Sequence, residues 1–394
     1  MTPRRRRVAW GAVTLISLAG VGVWWAGAER STDFAAIAGH PRAAAEAPPT
    51  PAATPSARAE PAAPSPATVP SPTPAAPDPS KPTLDPVSLG ERAANDYRRR
   101  ARFPPYAHPL EADEPDPITR DREVTAIKAR GQNGAEPTLY VFPAQSGFEA
   151  PDTVQLFAYL AVRDNPIPAQ DIRGTVQTED GQPLGEVAYH DDGVDGDPLA
   201  GDNIYSTTFT LPETPDPPLA ASYLVRVRAV TMSNDERLAA SSFLYSRPHA
   251  RLTGRYRDSV VSGTLIIDAE VDVSAAGRFH IEGTLYDRTG TRGLLWAQNA
   301  VQLAPGVTWM TLPFYGLALR EAGIDGPYVL RYVALSTTTQ MPNAKNRLAE
   351  WVHVTKAYRA TEFTDQPFQD PDLLDAAERL ERDNLKGGLE AGGR

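Results

Sequence analysis

Four consecutive arginines, Arg4 to Arg7, stand in front of an uncharged run from Val8 to Ala28, which Glu29 and Arg30 close. No other feature constrains the chain so strongly. At a rise of 1.5 Å per residue, about 20 apolar residues span a bilayer core, so the run predicts a transmembrane helix. Trp24 and Trp25 fall at its far end, where aromatic side chains meet lipid headgroups. By the positive-inside rule the arginines keep the N-terminus in the cytoplasm, and everything after Arg30 is predicted outside it. Ala26-Gly27-Ala28 has the small-x-small form of a signal-peptidase site, so cleavage after Ala28 is the competing reading. The run exceeds the roughly 7–15 residues of a signal-peptide core, which favours a retained anchor, and either reading exports the rest. Arginine outnumbers lysine, and alanine, proline and glycine are abundant. That composition points to a GC-rich bacterium, and so to a single-pass helix in a bacterial inner membrane with the bulk of the chain periplasmic or extracellular.

An exported chain can use disulfides, yet these 394 residues contain no cysteine. Its cores must be large enough without staples, and thiolate nucleophiles and cysteine metal sites are excluded. A formal charge of −10 argues against nucleic acid as partner, because a phosphate backbone requires a basic face. The expected partners are the membrane, through the N-terminal helix, and a protein or cell-surface ligand.

The chain divides by composition. Residues 1–30 hold the arginine cluster and signal-anchor, and 31–88 a linker dominated by proline and alanine. From about Pro41 to Pro86 there is almost nothing to bury, so this segment is predicted disordered and biased to polyproline II. Fully extended, it reaches on the order of 140 Å. Residues 89–116 combine a helix at Leu89–Arg102 with the segment Phe103-Pro104-Pro105-Tyr106. Arg98, Arg99, Arg100 and Arg102 cluster there, as a solvated helix face or as a contact for anionic lipid or an acidic partner.

From Pro117 the pattern changes to short alternating stretches divided by Gly, Pro, Asn and Asp. Tyr223 to Val230 shows the period-2 alternation of a half-buried strand. Strands every ten or so residues predict a β-sandwich over 117–247 and a second over 248–360. Leu317–Ala322 reads as a short helical crossover. The last segment, 361–394, carries an acidic helix at Asp370–Leu385 with Leu373, Leu374, Ala377, Leu380 and Leu385 near one face. It is expected to pack on the second sandwich, to lie loose or to dock a partner. The fold class is therefore mainly β: two tandem antiparallel Ig-like sandwiches after an N-terminal transmembrane helix and a disordered linker.

The densest polar feature is DDGVDGDPLAGDNIY, from Asp191 to Tyr205. Hard oxygen ligands at such density suit calcium, which takes six to eight of them. An EF-hand count puts Asp191 at the first ligand position, Asp195 at the fifth, Gly196 at the sixth, Asp197 at the seventh and Asp202 at the twelfth. Asp191, Asp195, Asp197 and Asp202 are the candidate metal ligands. Gly193 at the third position, a short Asp at the twelfth and the absence of flanking helices depart from that motif. The plainer reading is a set of nested Asx turns shaping a long hairpin. His190 adjoins the loop with no second histidine beside it and reads as a strand-end residue.

Catalytic signatures are lacking. There is no GxSxG elbow, HExxH pair, P-loop or GxGxxG fingerprint, and the six histidines are scattered singly. No catalytic residue and no organic cofactor is assigned.

Three segments carry a family resemblance. They are Tyr97–Leu110 (YRRRARFPPYAHPL), Asp191–Tyr205, and the run from Phe279 to Leu335, which contains FHIEGTLYD, Leu303 and Gly306, LPFYG and IDGPYVLRYVAL. Together they resemble the bacterial choice-of-anchor X proteins, exported chains that join one shared module to varied anchors. The resemblance spans about Tyr97 to Phe363. It implies Ig-like sandwiches and surface display, and it supplies no catalytic residues. Where members commonly carry glycine after the second Asp-containing turn, this chain has Asn203, which also tolerates left-handed geometry.

The expected function is a non-enzymatic, membrane-anchored binding or scaffold protein, with the acidic loop and Phe103–Leu110 as first contact surfaces. The alternatives are an accessory of an envelope-spanning secretion or transport assembly and a metal-dependent hydrolase built on the acidic loop.

Overall fold

A computed structural model describes residues 86–391 except Asp195. The arginine leader, the apolar run and most of the Pro/Ala-rich segment lie outside the described residues. Among the described residues no helix is long and apolar enough to cross a membrane.

The described chain is mainly β, arranged as two sandwich-like pairs of sheets. In the first pair, one sheet runs Gly147–Glu149, Glu236–Ser246, Ala220–Thr231, Ala169–Thr178, Pro183–Ala188. Its pairings are antiparallel except that of Gly147–Glu149 with Glu236–Ser246. The facing sheet runs Ile127–Ala129, Thr138–Pro143, Val154–Val162, Asn165–Ile167, and Tyr205–Phe209 also pairs with Val154–Val162. Alternation sets the core. Tyr223, Val225, Val227 and Ala229 turn inward against Leu139, Val141, Leu156 and Leu160, while Arg226 and Arg228 face solvent. Phe157, Tyr159 and Tyr140 lie on the other face of their sheet and form a smaller apolar cluster with Ile204.

In the second pair, one sheet runs Ala107–Pro109, Gly293–Leu303, Gly277–Tyr286, Val329–Thr337, Ala344–Lys345, with Ala349–Val354 also paired to Val329–Thr337. The other comprises Ala250–Val261, Thr264–Val273 and Gly306–Phe314. Leu265, Ile267 and Val271 meet Phe279, Ile281, Leu312, Phe314, Leu330 and Leu335 between the sheets. A helix at Gly316–Ala322 crosses as its sequence suggested, and ends on Gly323 in the left-handed region at φ 64°. Its first residue must be glycine, because a Cβ at Gly316 would collide with the Gly263 carbonyl oxygen.

The strand Ala107–Pro109 precedes the first sandwich in sequence yet belongs to the second, in register with Ala297, Trp296 and Leu295. Phe103 and Ala107 are buried in the second core. Within the Phe103–Leu110 segment, expected as a contact surface, Phe103, Pro104 and Ala107 are buried, and Ala107–Pro109 covers the Gly293–Leu303 edge. Asp116 caps the short helix Pro117–Arg120 through the N–H groups of Ile118 and Thr119, and accepts from the Tyr286 hydroxyl at 2.9 Å.

The C-terminal helix, Pro371–Ala391, packs on the N-terminal helix Pro86–Arg100, with Ala94 and Ala377 fully buried. The Asp370 N–H donates to the Ala101 carbonyl at 2.8 Å, so the end of one helix lies beside the start of the other. Arg98 pairs with Glu381, Arg102 with Glu321, and Arg99 with Asp96 at 2.7 Å. Those three arginines are occupied within the chain.

A candidate metal-binding loop

The acidic segment leaves the first sandwich after Tyr189 and returns at Tyr205. Its two ends are tied by a bridge in which the N–H of His190 and that of Ser206 each donate to the other's carbonyl at 2.8 Å. Tyr205 packs, as its place in the strand implies, and its hydroxyl bonds to Ala169 N at 3.1 Å. The loop lies over the outer face of the Val154–Val162 sheet, where Gln155 donates to the Gly196 carbonyl and Ile204 covers Phe157. A rigid sheet thus fixes both the ends and the middle of the loop.

Within it, turns bring acids together that the sequence spreads over twelve positions. Oxygens of Asp191, Asp197 and Asp202 lie within 4.8 Å of one another. Asp195, the fourth predicted ligand, lies outside the described residues. Asp192 is exposed and takes no part in the cluster; it accepts from the Val194 N–H at 3.2 Å. His190 is exposed and supplies no ligand.

The same carboxylates organise the backbone. Asp191 accepts from Gly201 N at 2.6 Å and, on its second oxygen, from Asn203 N at 2.9 Å. Asp197, which is buried, accepts from Gly193 N at 2.7 Å and Leu199 N at 3.3 Å, and Asp202 from Ile204 N at 2.8 Å. This is the nested Asx-turn arrangement. Asn203 holds φ 66°, the left-handed geometry that its sequence position required.

Partial burial raises the Asp202 carboxyl above the ordinary carboxylate value, and the charges of Asp191 and Asp197 add to the rise; the Ile204 N–H bond opposes it. Carboxylate oxygens keep lone pairs beyond one N–H bond, so the donor set fits a hard cation such as calcium. The chemistry available here is ion binding and turn formation. Among the described residues nothing places a nucleophile beside a general base in this loop.

Sequence reading did not find a second polar cluster. Asp258 is buried and accepts from His353 Nε2 and the Tyr358 hydroxyl, each at 2.7 Å, and from Lys356 N at 3.2 Å. These residues are about a hundred positions apart in sequence, and no local motif signals their meeting.

A family model matches within the second sandwich. Residues 249–350 match the family model described as the C-terminal domain of DUF4785, a domain of unknown function. The acidic loop lies outside that stretch. No curated protein matches the chain. Among solved structures, a DUF4785 family protein from Legionella pneumophila is 17% identical with a TM-score of 0.43, over 58% of this chain and 59% of that one. Squid arrestin is 11% identical with a TM-score of 0.21, over 59% of this chain and 97% of its own. A DUF3823 family protein from Parabacteroides merdae is 7% identical with a TM-score of 0.19, over 48% of this chain and 94% of its own. This chain thus spans about three fifths of the Legionella protein.

Proposed function

We propose that this chain is a membrane-tethered, non-enzymatic binding or scaffold protein that presents two Ig-like sandwiches outside the cytoplasm. The observation that carries the reading is the loop itself: a carboxylate cluster held on a rigid sheet, with Val194 and Leu199 more than half exposed beside it. Recognition residues concentrate on loops that a rigid scaffold positions. The arginine-led apolar run and the Pro/Ala-rich segment supply the tether in this reading, and the choice-of-anchor X resemblance agrees with display. Protease added to spheroplasts should degrade the sandwiches while sparing cytoplasmic markers; protection of the sandwiches would end the export reading.

Calcium is the ion proposed for Asp191, Asp195, Asp197 and Asp202. At a hundredfold excess over Kd, a bound ion stabilises the fold by about 2.7 kcal/mol. The melting temperature of the chain should therefore rise in millimolar calcium relative to chelator, and the rise should vanish in Asp197→Ala. If the carboxylates serve only as turn caps, calcium leaves the melting temperature where it was. Crosslinking in the native membrane separates the remaining reading: recovery of a defined secretion or transport machine would make the chain an assembly accessory.

A further inference from the structure

We propose that Trp351 is a stacking platform for a saccharide, a β-linked pyranoside whose flat hydrogen-bearing face lies on the indole. The proposal rests on the strand Ala349–Val354 and what surrounds it, not on the acidic loop or the tether. Leu330 pairs with His353 and Tyr332 with Glu350, so Trp351 and Val352 together oppose the single residue Arg331. That count defines a β-bulge, and Trp351 takes its left-handed position at φ 53°. Glycine is the usual occupant of such a position, and a bulky side chain there is strained. Strain of this kind persists where the surroundings enforce it, and it clusters at binding sites.

The surroundings here hold the ring in place. Trp351 lies against Gly290 at the tip of the hairpin after Gly277–Tyr286, so closely that a Cβ on Gly290 would collide with the indole. Arg331 places its guanidinium carbon 4.9 Å from the Trp351 ring, 5.0 Å from Tyr332 and 5.1 Å from Tyr286, and its Nη1 donates to the Gly290 carbonyl at 2.6 Å. Gly290 and Arg331 thereby hold the indole in place, yet the residue remains 55% exposed. A flat aromatic surface immobilised in advance loses little freedom when a ligand stacks on it.

The rim decides the class of ligand. Glu350, Arg288, Thr289, Thr291 and Arg292, on the same strand and the same hairpin, are all exposed. A pyranoside offers one apolar face together with hydroxyl edges that hydrogen-bond to hydroxyl, carboxylate and guanidinium groups.

The test is isothermal titration of the full chain, without calcium, using cellohexaose and the β-1,4-linked hexamer of N-acetylglucosamine. At least one should bind at millimolar concentration or below. Trp351→Gly, which suits the left-handed backbone, should weaken binding about tenfold or more while the melting temperature stays within a few degrees. Trp351→Phe should fall between the two. Binding of neither hexasaccharide, or equal binding by Trp351→Gly, overturns the proposal. So does a sharp fall in the melting temperature of Trp351→Gly, which would make the ring a structural prop, or a preference of the ring for a proline-rich peptide over both sugars. Because the calcium test reads a different loop, either reading can fail without the other.

Discussion

Asp258 joins the strand Ala250–Val261 to the end of Ala349–Val354 and the segment after it, and its carboxylate is the common acceptor for a ring, a phenol and a backbone N–H. Burial pushes its pKa up, but the bonds from Tyr358, His353 and Lys356 N outweigh it and hold the carboxyl below its ordinary value. Asp258→Ala should leave three donors without an acceptor in a buried place and cost on the order of 2–4 kcal/mol, read as a lower urea midpoint. A carboxyl whose folded pKa is depressed contributes stability that is complete above the unfolded value and is lost as pH falls through the folded one. The deficit of Asp258→Ala should therefore be full at neutral pH and shrink below about pH 4. Asp202 behaves in the opposite sense, since its raised pKa means that its charge disfavours the folded loop at neutral pH. Without calcium, Asp202→Asn should leave the melting temperature unchanged or higher, and it should remove any rise that calcium brings. At this scale Asn203 and the acidic run were legible, because turn residues act through local backbone geometry. The Asp258 cluster was not, because it depends on contacts between residues far apart in the chain.

Elements longer than about eight residues were visible in the alternation of the sequence. Ala220–Thr231 contains the Tyr223–Val230 stretch that period-2 patterning marked. The short strands Ala107–Pro109, Asn165–Ile167 and Ala344–Lys345 left no pattern, since two or three residues carry no period. The last strand of the second sandwich covers Ala349–Val354. The bulge at Trp351 breaks its alternation, and Thr355 turns to bond with Tyr328 across the sheet end. Helix Gly316–Ala322 has no room for any side chain at its first residue. Gly316→Ala should force backbone movement against Gly263 and cost roughly 2–4 kcal/mol, measurable by denaturant unfolding.

The first sandwich is an insertion. The chain contributes one strand to the second sandwich, leaves to build the first, and returns at Ala250. Polar contacts close the seam. Arg347 pairs with both oxygens of Asp152 at 2.7 Å, Asn346 donates to Glu149 at 3.3 Å, and Lys345 pairs with Asp121 at 2.6 Å. Arg347 and Asp121 are exposed, so their ion pairs add little to stability, while Asn346 is buried. A fragment of residues 123–247 should fold alone with one cooperative melting transition. A fragment of residues 248–369 should not, because it lacks the strand that covers the Gly293–Leu303 edge and the Phe103 side chain that enters its core. Circular dichroism melts of the two fragments check this, and adding residues 101–110 in trans should restore the second.

Local patterning was enough to show that the chain is mainly β, where its strands of ordinary length run and that its acids crowd into one loop. Those properties depend on neighbours within a few positions: alternation, turn chemistry and charge density. Tertiary structure alone decided that Ala107–Pro109 belongs to the later sandwich, that the two terminal helices pack together, and that Arg331 lies under Trp351. Each of these is a contact between distant segments, selected by the apolar area it buries or the charge it places, and neither quantity is written in any short stretch of sequence.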